Sequence, residues 1–186
     1  MVVAPSYDSR GLVNLVAEVE SRMTGSAPGP ILDPAIGGLI PESRTYVMVM
    51  FDGLGVAQLQ HSAAGSLLRS HRATLHAPFP TTTSVSLATV ATGLPPSQHG
   101  LVSHLMWIEQ LGRVVNTLKW VDLSGQPVAH DYARLLPGPN LWERLRSGGI
   151  EPITVQPDGF TGSPLSRLLY RGARFEGAWD EHDLVS

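Results

Sequence analysis

The sequence contains no cysteine. Disulfides and thiolate metal sites are therefore excluded, and any metal must be held by His, Asp, Glu or hydroxyl groups. Charge is scarce as well: Asp, Glu, Lys and Arg make up 16% of the 186 residues, the net charge is −3, and Lys and Arg form no cluster. The broad basic face with which a nucleic-acid polymer is bound is thereby excluded. No basic stretch followed by an apolar core opens the sequence, which begins Met1-Val-Val-Ala-Pro-Ser. Nor does any apolar run approach the roughly 20 residues of a membrane span. The expectation is a soluble, cytoplasmic protein with no membrane partner. What the sequence does have is 42% hydrophobic residues, enough in a chain of this length for one α/β domain with a real core.

Leu12, Leu15, Val16, Val19 and Met23 share a helical face, with Asp8 and Ser9 as candidate caps, which predicts a helix over 9–23. Glycine and proline then dominate from Gly25 to Pro41, an irregular crossing segment. Tyr46-Val-Met-Val-Met-Phe51 is continuously apolar and stops at Asp52-Gly53, the pattern of a strand buried on both faces of a parallel sheet. Further expected elements are a helix over 55–70, a short strand over 73–77 and a helix from the Thr81-Thr82-Thr83 cluster to Gly93. Beyond these, the pattern predicts a strand over 113–120, a helix over 140–147 closed by Gly148-Gly149, a strand over 153–155 and a helix over 164–171. Alternating strands and helices indicate an α/β fold with a layered, parallel-type sheet flanked by helices. The expected division is an N-terminal helix and Gly/Pro-rich segment over 1–44, followed by the main domain over 45–186.

In open α/β sheets, ligands gather beyond the carboxyl ends of the strands. Asp52 falls there, and a carboxylate at a strand end can hold a divalent metal. Such an Asp-Gly is more often an ordinary turn. The Thr81–Thr83 cluster precedes a helix, where free N–H groups favour an incoming phosphate, although a threonine run there is more often plain capping. A metal-activated hydroxyl beside a carboxylate is the minimum kit for attack on phosphorus.

Two stretches carry a family resemblance. Val49-Met50-Phe51-Asp52-Gly53-Leu54-Gly55 resembles the first metal-binding strand of the type I phosphodiesterase and nucleotide pyrophosphatase family of the alkaline phosphatase superfamily. Phe79-Pro80-Thr81-Thr82-Thr83-Ser84, continuing to Ala91-Thr92-Gly93-Leu94-Pro95-Pro96-Ser97-Gln98-His99-Gly100, is similar to that family's nucleophile segment. The likeness runs from about Tyr46 to the end of the sequence. It implies an alkaline phosphatase-like domain of which this chain is the N-terminal half. It also implies a small phosphodiester or nucleotide pyrophosphate substrate and two divalent metal ions, with zinc the expected metal. The nucleophile is implied nine positions before the threonine of the Thr92-Gly93 pair, at Thr83, with Thr82 one slip away. Asp52 and Thr83 are implied to touch one metal. His104, 21 residues beyond Thr83, stands where the family places a phosphate-binding asparagine, and is the candidate substrate-binding residue.

His99 reads as structural and His76 as a satisfied histidine of a core or sheet face, while His61, His71 and His130 lack partner spacing. Asp180-Glu181-His182-Asp183 has metal-binding residue types, but four contiguous residues do not converge on one ion, so a solvated stretch is expected. Trp107, Trp120 and Trp142 are better suited to core than to a base-binding slot. Nothing from Gly100 onward matches the family's remaining Asp and His ligands, so the chain by itself is expected to be nearly inactive. The alternative is a catalytically dead fragment that retains a phosphate pocket.

Overall fold

The structure, a computed structural model, describes residues 4–129 and 135–180. Its first helix, α1 (Leu12–Thr24), starts one turn later than expected. Gly11 rather than Asp8 or Ser9 is the cap, and its N–H donates to Asn14 Oδ1 at 2.8 Å. Val13, Val16, Ala17 and Glu20 form the buried stripe, so the buried face is rotated from the one expected. Asn14 is fully buried and satisfied, its Nδ2 donating to the carbonyls of Tyr7 and Pro30. A short α2 (Pro34–Gly37), capped by Asp33, sits within the Gly/Pro-rich segment.

The apolar run at Tyr46–Phe51 is not a buried strand. It pairs with no other segment, and Val47 and Phe51 are 84% and 63% exposed. The composition favours a strand, but a strand interior to a sheet needs a neighbour on each edge, and among the described residues neither is in place. The helix expected over 55–70 is broken: 3-10 turns at Gln58–Gln60 and Ser62–Ala64 precede α3 (Gly65–Ser70). The break falls at His61, which is extended and whose Nδ1 accepts the Ala63 N–H. Of the strand expected over 73–77 only His76 pairs, in one parallel bridge with Gly11, and Pro78 supplies no N–H to extend the ladder.

The helix α4 (Thr83–Thr92) forms as expected, ending on Gly93 at φ +69, a left-handed position where a Cβ would also meet Arg144 and Pro28 within about 3.3 Å. After α5 (Pro96–His99) come β1 (Leu105–Ile108), β2 (Arg113–Asn116) and β3 (Val121–Asp122), an antiparallel sheet in that order. The strand expected to reach residue 120 stops at Asn116 because its Oδ1 captures the N–H groups of Leu118 and Lys119. α6 (Leu141–Ser147) carries a reciprocal cap between Asn140 and Glu143. β4 (Ile153–Pro157) pairs in parallel with β5 (Arg174–Ala178), joined by α7 (Pro164–Leu169). The fold is thus mixed α/β, with two small sheets among the described residues.

Two clusters make the core. The larger joins Ala88, Ala91, Leu101, Val115, Trp120 and Leu168 with their neighbours, and the smaller joins Val16 of α1, Val90 of α4, and Leu141 and Leu145 of α6. Each valine or leucine side chain among them contributes roughly 2 kcal/mol when fully buried, so α4 is held against both α1 and α6. Trp120 and Trp142 pack into these clusters, whereas Trp107 is exposed, its indole N–H donating to Glu109.

Candidate active site

Thr83 is the first residue of α4, and Thr82, its N-cap, makes no side-chain cap hydrogen bond. The first-turn N–H groups of a helix have no intrahelical acceptor, so this end offers donors and the positive end of the helix dipole. Asp52 lies in the turn that ends the exposed apolar run. Thr83 Oγ1 donates to Asp52 Oδ2 at 2.6 Å, across 31 residues of sequence. The two residues singled out from separate motifs are therefore in direct contact. Of the three threonines, Thr83 is the one whose hydroxyl meets this carboxylate, while the Thr82 hydroxyl lies 3.5 Å from that of Ser84.

His104 is not joined to this pair by any hydrogen bond. It is exposed just before β1, its carbonyl accepting the Thr117 N–H at 2.8 Å. His99 is buried beneath α4: its Nδ1 accepts the Leu101 N–H, leaving Nε2–H to donate to Thr89 Oγ1. Burial pushes its pKa down to about 4, so the ring is a neutral structural tie between α5 and α4, the helix that carries Thr83. Thr92, buried at the other end of α4, donates to the Ala88 carbonyl and accepts the Leu94 N–H. His76 is satisfied, as expected: its Nδ1 accepts the Ser6 N–H. His61 caps a 3-10 turn and His71 meets the Thr74 hydroxyl. His130 and Glu181, His182 and Asp183 lie outside the described residues.

Zinc takes four donors, three or four of them from protein. The pair supplies one carboxylate and one hydroxyl, and among the described residues no group of three His, Asp or Glu is placed to share an ion. On these residues alone a two-ion centre does not fit.

The family model for type I phosphodiesterase / nucleotide pyrophosphatase matches residues 46–156, which include Asp52, Thr83 and His104. The chain belongs to that family, which is one of phosphodiesterase-type hydrolases. The match starts at Tyr46, where the motif resemblance starts, and stops at Gln156 rather than running to the end of the sequence. No curated protein and no solved structure matches the chain.

One residue near the site gave no signal in the sequence. The Phe79 N–H, four positions before Thr83, donates to the Tyr7 hydroxyl at 3.0 Å across 72 residues. A single tyrosine ahead of an amphipathic helix carries no pattern that points to such a contact.

Proposed function

We propose that this chain carries the nucleophile of a metal-dependent hydrolase of phosphodiester or nucleotide pyrophosphate bonds. The observation that carries the reading is the 2.6 Å contact between Thr83 and Asp52 at an uncapped helix N-terminus, inside the residues matched by the family. Thr83 Oγ attacks phosphorus, the bond from phosphorus to the leaving oxygen breaks, and the hydroxyl proton passes to Asp52 Oδ2. The result is a threonine phosphodiester that keeps the substrate's other organic group, and water then cleaves its bond to Thr83. Orphan N–H groups of the first turn of α4 stabilise the charge that builds on the phosphoryl oxygens. His104 is the proposed further contact to a phosphate oxygen.

Two divalent ions, zinc by family, would neutralise the attacking and leaving oxygens when bound. With Asp52 and Thr83 as the donors at hand among the described residues, the reading requires further donors from outside them. They would complete an alkaline phosphatase-like sheet in which Tyr46–Phe51 is an interior strand. In this reading, residues 45–186 are the N-terminal half of that domain, residues 1–44 are its leading helix and crossing segment, and the substrate is a small molecule.

The shortage of donors favours a second reading, a phosphate-binding remnant without catalysis. Reaction with an aryl phosphodiester in the presence of zinc separates the two. A phosphoryl group linked to Thr83 supports the hydrolase. Reversible phosphate binding with no adduct supports the remnant.

A further inference from the structure

The segment that delivers Thr83 to its position is short of backbone anchors. Pro78 and Pro80 have no N–H, and the Thr82 N–H bonds locally to the Pro80 carbonyl. Upstream, His76 is fixed through both backbone groups, its N–H donating to the Arg10 carbonyl and its carbonyl accepting the Leu12 N–H. Between His76 and the start of α4, the Phe79 N–H is the one backbone group among the described residues that bonds to a distant part of the chain, and its acceptor is Tyr7 Oη. Tyr7 is itself held: its carbonyl accepts from Asn14 Nδ2, and Asn14 is fully buried on α1.

We propose that Tyr7 is a positioning residue for the Thr83 nucleophile, acting through the Phe79 N–H. The proposal rests on the reading of Thr83 given above. The mechanical argument is simple. Pro78 and Pro80 each fix one φ angle, so the backbone from 78 to 80 is stiff, and a restraint on Phe79 is carried to Thr82 and Thr83 rather than absorbed. Downstream, Val90 of α4 packs with Val16 of α1. The same N-terminal stretch, 6–24, thus grips the nucleophile segment on both sides of Thr83. Tyr7 lies outside residues 46–156, so this support comes from a part of the chain that the family match does not cover.

Tyr7→Phe keeps the ring and removes only the acceptor oxygen. Amide hydrogen exchange on the full chain should accelerate about tenfold at residues 79, 82 and 86, the hydrogen-bonded amides on either side of Thr83, with the α1 and α6 amides unchanged. Capture of an aryl phosphodiester at Thr83 should slow by about the same factor, since small displacements of a reacting group are costly. A protein with 3-fluorotyrosine at position 7, which retains the oxygen, should behave as wild type in both measurements. Acceleration confined to the Phe79 amide, with 82 and 86 unchanged, overturns the proposal. If Tyr7→Phe also loosens α1, the fluorotyrosine protein decides. The amide signals of 82–84 should then shift together with ionisation of the fluorophenol, and signals that stay put overturn the proposal. Exchange is read whether or not Thr83 reacts. Loss of the nucleophile reading would instead show as labelling that survives in Thr83→Ala, so the two failures are distinct.

Discussion

Asp52 and Thr83 lie 31 residues apart in sequence and are joined by a 2.6 Å hydrogen bond from the threonine hydroxyl to the carboxylate. The bond brings a carboxylate to the positive end of α4, an arrangement that stabilises a helix by itself at roughly 0.5 kcal/mol. Favouring the helix dipole and accepting a proton make different demands on Asp52, and they separate on substitution.

Asp52→Asn retains an acceptor for the Thr83 hydroxyl but cannot take its proton. The expected outcome is a loss of about a hundredfold in the rate of phosphoryl transfer to Thr83, with unfolding free energy changed by no more than about 1 kcal/mol. Rate is read by single-turnover labelling, and stability by denaturant unfolding. Equal labelling in Asp52→Asn and wild type would leave Asp52 as a hydrogen-bond partner of Thr83 with no part in proton transfer.

Stability should fall as pH drops below neutrality, because His99 is buried and neutral. Its folded pKa of about 4 lies below the ordinary value of 6.5, so the unfolded chain binds the proton more readily. The contribution of His99 is complete above pH 6.5 and is lost as pH falls from 6.5 through 4. The loss is on the order of 3 kcal/mol. Urea unfolding at a series of pH values checks this, and a flat profile between pH 6.5 and 4 would contradict it.

Glu20 on α1 is 3% exposed and bonded by Arg144 of α6 through two contacts, at 2.6 and 2.8 Å. The same guanidinium donates to the Thr92 and Pro139 carbonyls. Arg144→Ala leaves a buried carboxylate without its cation and should cost about 3 kcal/mol or more. Replacing both residues with apolar side chains, Glu20→Leu with Arg144→Met, should cost less than the single change. A thermal or denaturant midpoint for each variant measures the order.

The exposed apolar run from Val47 to Phe51 should drive self-association. Light scattering is expected to show a mass that rises with protein concentration. Val47→Lys with Val49→Lys should suppress the rise and leave the α1, α4 and α6 core intact.

Elements set by local chemistry were legible in the sequence. The start of α4 after Pro80, its stop at Gly93, the end of α6 before Gly148 and the strand at Ile153 all follow from residues near in sequence. Elements that depend on distant partners were not. Tyr46–Phe51 has the composition of an interior strand but finds no neighbour among the described residues, and Ala73–Ala77 keeps one bridge, His76 with Gly11, because Pro78 supplies no N–H to extend it. The helical face of α1 was misread because Asn14, Glu18 and Glu20 are buried through hydrogen bonds and ion pairs that no hydrophobic period reveals. At the site, Asp52 and Thr83 were legible because each sits in a motif. Tyr7 was not, because its contact with Phe79 exists only once α1 has docked.

The most direct test of the nucleophile assignment is mass mapping of the full chain after reaction with bis-p-nitrophenyl phosphate in excess zinc, followed by acid quench. An aryl ester with a good leaving group needs the least assistance, so labelling should be detectable even where turnover is nearly absent. A p-nitrophenyl phosphoryl group on the peptide that contains Thr83, retained in Thr82→Ala and absent in Thr83→Ala, is the predicted result. A label on Thr82 or any other residue, or no label on the wild-type chain, would contradict it.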